Sequence, residues 1–440
     1  MDDIIPQPVI RRLQQAGGRI YTVGGTVRDT LLGRTHKDID LLVTGLPQQI
    51  LIQCLRRHGH VQLIGRAFGV LQFRPRHWDG PPIDIALPRT EISTGIGHRD
   101  FEVSFDHTLP IETDLGRRDF TINALAIDLV DGQMIDPFGG RQDLENRLLR
   151  QVSPQAFPED PLRMLRGVQL AARFGLTIES ATQQAMTQYA ATIVTIAPER
   201  IAEELGKLFR AHSPAAGFAV MQTTGLLASI MPELDALAGF GKVFTRTMQR
   251  LDAVQQRSKL RHQGHLDLLL AALLQDAGYP DADATTASGL ARERLEHLRM
   301  TVIGAQLNLI EALIRESRLD IATLASDAAL RHFAHRLRPE TASMLFDLRL
   351  SDSLANAPEQ TADGWLGLQE RLEREIANGA PLTVKDLAIN GHDLQRLGIP
   401  PGPKMGRLLA HMLDRVLDDP SRNTPETLID WVQQEAESQA

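Results

Sequence analysis

Residues 19–45 read RIYTVGGTVRDTLLGRTHKDIDLLVTG, and no other stretch restricts the fold as tightly. Ile20, Tyr21 and Val23 make a short apolar run ending in the pair Gly24-Gly25. A helical spacing with Arg28 and Asp29 follows, and a second apolar run carries Asp38 and Asp40. Side chains alternate faces along a strand, so Asp38 and Asp40 are expected on one side of the second strand. Neighbouring carboxylates repel unless positive charge lies between them. A hard divalent cation such as Mg2+, which completes its shell with water and phosphate oxygens, resolves the repulsion. A glycine pair just ahead of a helix start lets backbone N–H groups approach a phosphate. The stretch therefore predicts a site where a nucleoside triphosphate meets a metal. The pair lacks the third glycine of GxGxxG, which argues against a dinucleotide-binding turn. A lone Asp-x-Asp is most often plain strand-end surface; the adjoining glycine turn lifts this one above that reading.

At 440 residues the chain exceeds one ordinary core, and two to four domains are expected. A hydrophobic content of 42% with 23% charged residues is that of a globular protein. The net charge of −8 argues against a uniformly basic nucleic-acid surface and leaves room for a local basic face. The single cysteine, Cys54, excludes an intramolecular disulfide and is expected to pack within a helix. The start MDDIIPQPVIRRLQQAGG lacks the basic-then-apolar pattern of a signal peptide. No apolar run approaches the roughly 18 residues of a membrane span. A cytosolic protein without membrane contact is expected.

From Gly18 to about Pro137 strand and helix patterns alternate. Strands are expected near Ile20–Val23, Ile39–Val43, His60–Ile64, Val70–Phe73 and Ile83–Leu87, with a helix from about Pro47 to His58, giving an α/β unit with a mixed sheet. Asp84 would be a third carboxylate near the metal if its strand lies beside that of Asp38 and Asp40; a hydrogen-bonded acid at a strand end is the plain alternative. Residues 89–114 are rich in glycine and charge without periodicity, and so long a loop is usually functional or mobile. After Gly140, Leu, Ala and Met recur at three and four residues, broken near Pro154, Pro198, Pro232, Pro280, Pro381 and Pro400 to Pro403. That spacing predicts a succession of helices without a fixed repeat.

Two further blocks carry charge in suggestive places. In RRDFTINALAID (117–128), Asp119 precedes what reads as a helical run through Ile122, Leu125 and Ala126, where a first-turn acid is stabilising. Arg117 and Arg118 offer guanidinium forks suited to phosphate. In PEDPLRMLRGVQLAARFG (158–175), Glu159 and Asp160 open a helix with Pro161 at its first position, and Asp160, Arg163 and Arg166 recur on one face. A carboxylate beside a guanidinium can address a base edge, as such side chains do elsewhere. An intrahelical Asp–Arg pair is the plain alternative.

GGTVRDTLLG followed by KDIDLLVTG, together with the RRDFTINALAID and EDPLR blocks, resembles the class II tRNA nucleotidyltransferase and bacterial poly(A) polymerase family over roughly the first half of the chain. The resemblance implies an α+β N-terminal polymerase-β-type nucleotidyltransferase domain, a mixed sheet with helices, followed by an all-α elongated region. It implies a catalytic head over 1–140, a base-recognising neck over 141–215, and a tRNA-binding body and tail over 216–440 with a degenerate HD-like segment. In that family's terms Asp38 and Asp40 are the catalytic, Mg2+-holding acids. Gly25 and Arg28 position the triphosphate, Arg118 contacts the incoming nucleotide, and Asp160, Arg163 and Arg166 read its base. Gly24, Asp84, Arg117 and Asn123 are further candidates. Arg99 and Asp100 fall in a region resembling the one that helps the family switch from C to A addition.

The activity implied is template-independent addition of C and A to the 3′ end of tRNA from CTP and ATP, releasing pyrophosphate. Enzymes adding only CC or only A, and poly(A) polymerase, share these motifs. A catalytically silent RNA-binding relative and a small-molecule nucleotidyltransferase are rivals of other kinds. The chain departs from the family pattern at Gln169, where an arginine that helps bind the nucleotide is expected; Arg173 is a candidate replacement. Gly167 in place of alanine should loosen the helix by up to about 1 kcal/mol. His262, His265 and the LLLAALLQDAG run resemble an HD phosphohydrolase segment, but Gln275 precedes Asp276, which breaks the His-Asp pair, so no hydrolase metal site is expected. In the tail, Lys404 and Arg407 begin a helix that could face RNA phosphate, with solvated surface as the default.

Overall fold

The computed structural model describes residues 5–34, 39–64, 70–80, 82–93, 101–258, 265–356 and 359–438. The chain opens with helix α1 (Gln7–Gln15), strand β1 (Arg19–Val23), helix α2 (Gly25–Leu31), strand β2 (Ile39–Thr44) and helix α3 (Gln48–Arg56). Strands β3 (Gly59–Ile64), β4 (Val70–Pro75) and β5 (Ile83–Ala86) come next, then β6 (Arg89–Ser93) and β7 (Phe101–Phe105). Helix α4 (Ile111–Gly116) and strands β8 (Ala126–Asp128) and β9 (Met134–Ile135) complete this part. The five expected strands fall within a residue or two of their sequence limits. Seven strands form one sheet in the order β3-β4-β5-β2-β1-β8-β9, while β6 pairs with β7. The sheet is mixed because β2 and β5 run parallel and the other neighbours antiparallel.

The two-residue period of β2 decides what each face does. Ile39, Leu41 and Val43 enter a core with Leu13 of α1, Leu51, Cys54 and Leu55 of α3, and Phe73 and Ile85 of the neighbouring strands. Leu42 enters a second core on the other face, with Tyr21, Val23, Leu115 and Ala126. Asp40, between Ile39 and Leu41, shares the Leu42 face. One side of β2 is therefore sealed by helices, and the other carries the acid.

The helical run expected after Asp119, through Ile122, Leu125 and Ala126, is not there. Thr121–Asn123 make one 3-10 turn, and Ala126–Asp128 become β8, pairing with β1 through Val23↔Ala126 and Tyr21↔Asp128. A few apolar residues at mixed spacing do not separate helix from strand, and an available sheet edge decides for strand. Asp119 accordingly caps no helix.

Beyond this lie α5 (Gly140–Glu145), β10 (Leu148–Leu149), α6 (Ala156–Glu159), α7 (Leu162–Phe174), β11 (Thr177–Ile178), α8 (Ser180–Tyr189), α9 (Pro198–Leu208), α10 (Pro214–Thr224) and α11 (Leu226–Ile230). The parallel pair β10–β11 interrupts the expected run of helices; strands of two residues carry no readable period. Pro161 is the N-cap of α7 rather than its first residue, and Asp160 Oδ1 accepts from the Leu162 N–H at 3.1 Å. Gly167, expected to loosen α7, has a packing reason. A Cβ there would lie 2.7 Å from the ring of the fully buried Phe120. Gly167→Ala should therefore destabilise by about 1–3 kcal/mol through overpacking, despite alanine's better helix propensity. Urea unfolding of the two proteins checks the sign.

The chain divides into two compact units, Met1–Ala211 with Ala216–Ile230, and His212–Ala215 with Met231–Ala440. The second contains α12 (Pro232–Asp235), α13 (Val243–Ser258), α14 (His265–Leu274), α15 (Ala284–His297), α16 (Leu307–Arg315) and α17 (Asp327–Leu337). It ends with α18 (Pro339–Asn356), α19 (Glu359–Ala377), α20 (Gly391–Arg396), α21 (Pro403–Asp418) and α22 (Pro425–Ser438). Helices α9, α12 and α21 begin at the prolines that broke the sequence pattern, where a missing N–H costs nothing. Asp276 of the HD-like segment is bound by the buried Arg250 at 2.8 Å, and Arg250 also holds Asp352 at 2.7 Å. His265 Nε2 lies 2.7 Å from Gln255 Oε1, and His262 falls outside the described residues. Lys404 and Arg407 are exposed on α21. No described helix is long and apolar enough to cross a membrane.

Candidate active site

The parallel pairing of β2 with β5 sets Asp40 directly beside Asp84. Residues opposite one another on neighbouring strands share a face, so both carboxylates stand on the side left uncovered by α1 and α3. Asp40 is exposed and Asp84 half-buried, with Gln72 Nε2 donating to Asp84 Oδ1 at 3.4 Å. Asp38 lies outside the described residues, as do Arg99 and Asp100. Among the described residues no group of three or more metal-ligating side chains gathers. Asp40 and Asp84 fit a hard cation all the same, since such an ion takes one or two carboxylates and fills its shell with water and phosphate oxygens.

The glycine pair sits against these acids. Thr26, in the first turn of α2, accepts a hydrogen bond from the Asp40 N–H at 3.1 Å, which ties the glycine turn to the start of β2. Gly24 has φ +66° and ψ −126°, a conformation open to glycine alone. A Cβ at Gly24 would lie 2.5 Å from Arg118 Nη1, so the guanidinium rests directly on the bare backbone. Gly24→Ala should cost about 1–3 kcal/mol of backbone strain and push Arg118 away. The expected result is a folded, destabilised protein whose KM for nucleotide rises; steady-state kinetics beside thermal unfolding checks it.

Arg118 is held from behind. Asp114 on α4, fully buried, accepts from Arg118 Nη2 at 3.0 Å and from Arg117 Nη2 at 2.7 Å. Burial pushes the Asp114 carboxyl up, but Arg118 and Arg117 outweigh it, and the pKa ends below the usual carboxylate range. Asp119, also buried, accepts from the Phe120 N–H at 2.8 Å and Asn123 Nδ2 at 3.1 Å, and pairs with Arg166 Nε at 3.1 Å. Burial opposes its charge too, and Arg166 with the two hydrogen bonds brings the pKa down. Asn123 in turn accepts from Arg28 Nη1 at 2.7 Å, and Arg28 donates through Nε and Nη2 to Asp29. A continuous polar chain, Arg166–Asp119–Asn123–Arg28–Asp29, thus joins α7 to α2. Arg28 is buried within it, which makes it a brace behind Gly25 as much as an exposed phosphate hand.

At the start of α7 the expected Asp160–Arg163 pair does not form. Arg163 donates through Nη2 to the Arg117 carbonyl at 2.8 Å and through Nη1 to the Ala156 carbonyl and Glu159, both at 3.2 Å. Asp160 instead meets Arg200 of α9, Nη2 to Oδ2, at 3.3 Å. The base-reading candidates are therefore bound to the loop carrying Arg117 and Arg118 and to α9. Arg200, Asp114 and Thr26 escaped the sequence reading. Asp114 had left a signal, an acid three and four residues before an arginine pair; Arg200, 40 residues from Asp160, had left none. Gln169 is buried and its Oε1 accepts from Arg173 Nη1 at 3.0 Å, so an arginine one turn later reaches toward the position where the family pattern has its own.

Three profiles of known families match the chain. Residues 20–150 match the "Poly A polymerase head domain", residues 175–237 the "Probable RNA and SrmB- binding site of polymerase A", and residues 369–432 a tRNA nucleotidyltransferase domain 2. The multifunctional CCA protein of Xanthomonas campestris pv. campestris (strain B100) is 33% identical over 413 residues, 89% of this chain and 96% of that protein. The multifunctional CCA protein of Haemophilus ducreyi is 37% identical over 327 residues, 71% of this chain and 74% of that one. Among solved structures, the Bacillus stearothermophilus CCA-adding enzyme in complex with CTP matches with a TM-score of 0.71 at 24% identity, covering 99% of both chains. The Thermotoga maritima CCA-adding enzyme complexed with tRNA matches with a TM-score of 0.66 at 23% identity, covering 97% of this chain and 93% of the other. These last two likenesses establish the fold.

Proposed function

This chain belongs to the class II tRNA nucleotidyltransferase and bacterial poly(A) polymerase family, and we propose that it completes the 3′ end of tRNA, adding C, C and A from CTP and ATP and releasing pyrophosphate. The observation that carries the reading is the register of Asp40 with Asp84 beside the Gly24-Gly25 turn, with Arg118 laid over the glycine. The curated relatives named as CCA proteins favour CCA addition over poly(A) synthesis.

The family works with a divalent metal; here we assign Mg2+, with Asp40 and Asp84 as holders and Asp38 as the further acid of the motif. When bound, it lowers the pKa of the tRNA 3′-hydroxyl and offsets charge on the leaving pyrophosphate. The hydroxyl oxygen bonds to the α-phosphorus, the bond from that phosphorus to the oxygen bridging the α- and β-phosphates breaks to release pyrophosphate, and the hydroxyl proton passes to solvent water. Gly25 brings main chain to the triphosphate, Arg28 braces that turn, and Arg118, with Arg117 behind it, supplies positive charge above it. Asp160 and Arg163 offer an acceptor and donors to the edge of C or A, with Arg200 holding Asp160 and Arg166 joining the reading helix to Asp119. Arg99 and Asp100 are the candidates for the change from C to A. Functionally we divide the chain into a head (1–140), a neck (141–215) and a tRNA-holding body and tail (216–440), the last gripping RNA by shape and phosphate contact through groups such as Lys404 and Arg407. With tRNA as substrate, we place the protein in the cytoplasm.

Incubation with Mg2+ and tRNA lacking its 3′ end tests the function. CTP alone should add two residues, and CTP with ATP three, the last a single A. Long A tails would make the protein a poly(A) polymerase, and binding without incorporation would make it a silent relative.

A further inference from the structure

Phe174 closes α7 as a buried residue, and three guanidinium groups gather around its ring. Their central carbons lie 4.4 Å (Arg28), 4.7 Å (Arg34) and 5.3 Å (Arg173) from the ring centroid. Aromatic faces attract cations, which explains why each approaches the ring, but it does not explain why several crowd one ring. Arg28 is buried and bonded to Asp29 and Asn123. Arg34, Arg173 and Arg210, just beyond α9, are exposed. Gln169 holds Arg173 through Nη1, so that guanidinium stands in a fixed place. Burial, and then the charges of Arg28, Arg210 and Arg34, depress the Arg173 pKa, with Asp29 pulling the other way. Like charges collected with so little opposing charge are relieved by an anion.

The geometry points to a phosphate seat made by Arg34 and Arg173 at Phe174, taking a phosphate group of a substrate bound at the site described above. Guanidinium forks match phosphate oxygens two at a time, and several forks converging on one place suit a phosphate better than a lone carboxylate. Arg28, the arginine nearest the ring, stands on α2, and Thr26 in the first turn of the same helix accepts from the Asp40 N–H, so one helix links the ring to the acids. The phosphate is either the far end of the nucleotide's triphosphate or a backbone phosphate of the acceptor strand. The seat rests on the nucleotidyl-transfer reading for its substrate but not for its affinity.

Arg34→Gln and Arg173→Gln, singly and together, test it, with the exposed Arg141→Gln on α5 as control. Both seat residues are exposed, so the fold should persist, and circular dichroism verifies that. Binding of inorganic tripolyphosphate, binding of tRNA at two salt concentrations, and KM for CTP are measured on each protein. If the triphosphate sits there, the double variant weakens tripolyphosphate and raises the KM for CTP about tenfold, with tRNA affinity unchanged. If the acceptor strand sits there, tRNA affinity falls about tenfold and the salt slope shrinks by roughly one for each arginine–phosphate pair removed, with CTP unchanged. A double variant that matches the Arg141→Gln control on both ligands overturns the seat. An inactive wild type would overturn the proposed reaction alone, because the two binding measurements judge the seat without turnover.

Discussion

Asp40→Asn is expected to lower single-turnover incorporation of C into tRNA by about three orders of magnitude or more, while tRNA affinity stays within about twofold. The substitution keeps the shape of the side chain and removes one negative charge from the exposed end of β2. Lewis-acid assistance to the attacking oxygen and the leaving group is worth several kcal/mol of barrier, and about 4 kcal/mol is about a thousandfold in rate. Stability should change little, since Asp40 is exposed and its main-chain N–H, which donates to Thr26, is untouched by the substitution. Asp84→Asn should show a smaller loss in the same direction, because Asp84 is half-buried and already accepts from Gln72. Rapid-quench kinetics with melting curves separates an effect on chemistry from one on folding.

Asp114→Ala should be the most damaging change to stability in the first unit. It leaves two guanidinium groups, Arg117 and Arg118, against a fully buried site without their shared counter-charge. Breaking a buried ion pair from one side costs about 3–5 kcal/mol. Function suffers with it, since Arg118 would leave Gly24 and nucleotide KM should rise about tenfold or more. The same acids set an acid limit. Asp114 and Asp119 are held below their ordinary pKa, so their contribution is complete above the unfolded value near 4 and is lost as the pH falls through the lower folded values. Urea unfolding of the wild type should weaken below about pH 4, and Asp114→Ala should show a shallower dependence there.

Strands β1 to β5 were legible because each alternates or runs apolar between clear breaks, and β2 could be assigned a chemical face from Asp40 alone. That Asp84 stands level with Asp40 was visible only as a condition, because register between positions 44 residues apart is written in the packing of both faces. Residues 117–128 misled because RRDFTINALAID has helical spacing for two turns, whereas the chain uses it as a turn and an edge strand. Asp160 and Arg163 look like partners along a helix, yet the N-cap at Pro161 turns Asp160 out of it toward Arg200, and Arg163 is spent on the main chain of Arg117. Gly167 shows the same limit: its propensity is local, while the ring of Phe120 that occupies the vacant Cβ space comes from 47 positions earlier.

Divalent-metal binding to the acid pair tests the site most directly. Mn2+ titrated against the protein in the presence of CTP, followed by electron paramagnetic resonance, should give a protein-bound signal in the wild type that is lost in Asp40→Asn and reduced in Asp84→Asn. Undiminished Mn2+ binding in both variants would contradict the assignment of these carboxylates to a metal, and with it the centre of the proposed reaction.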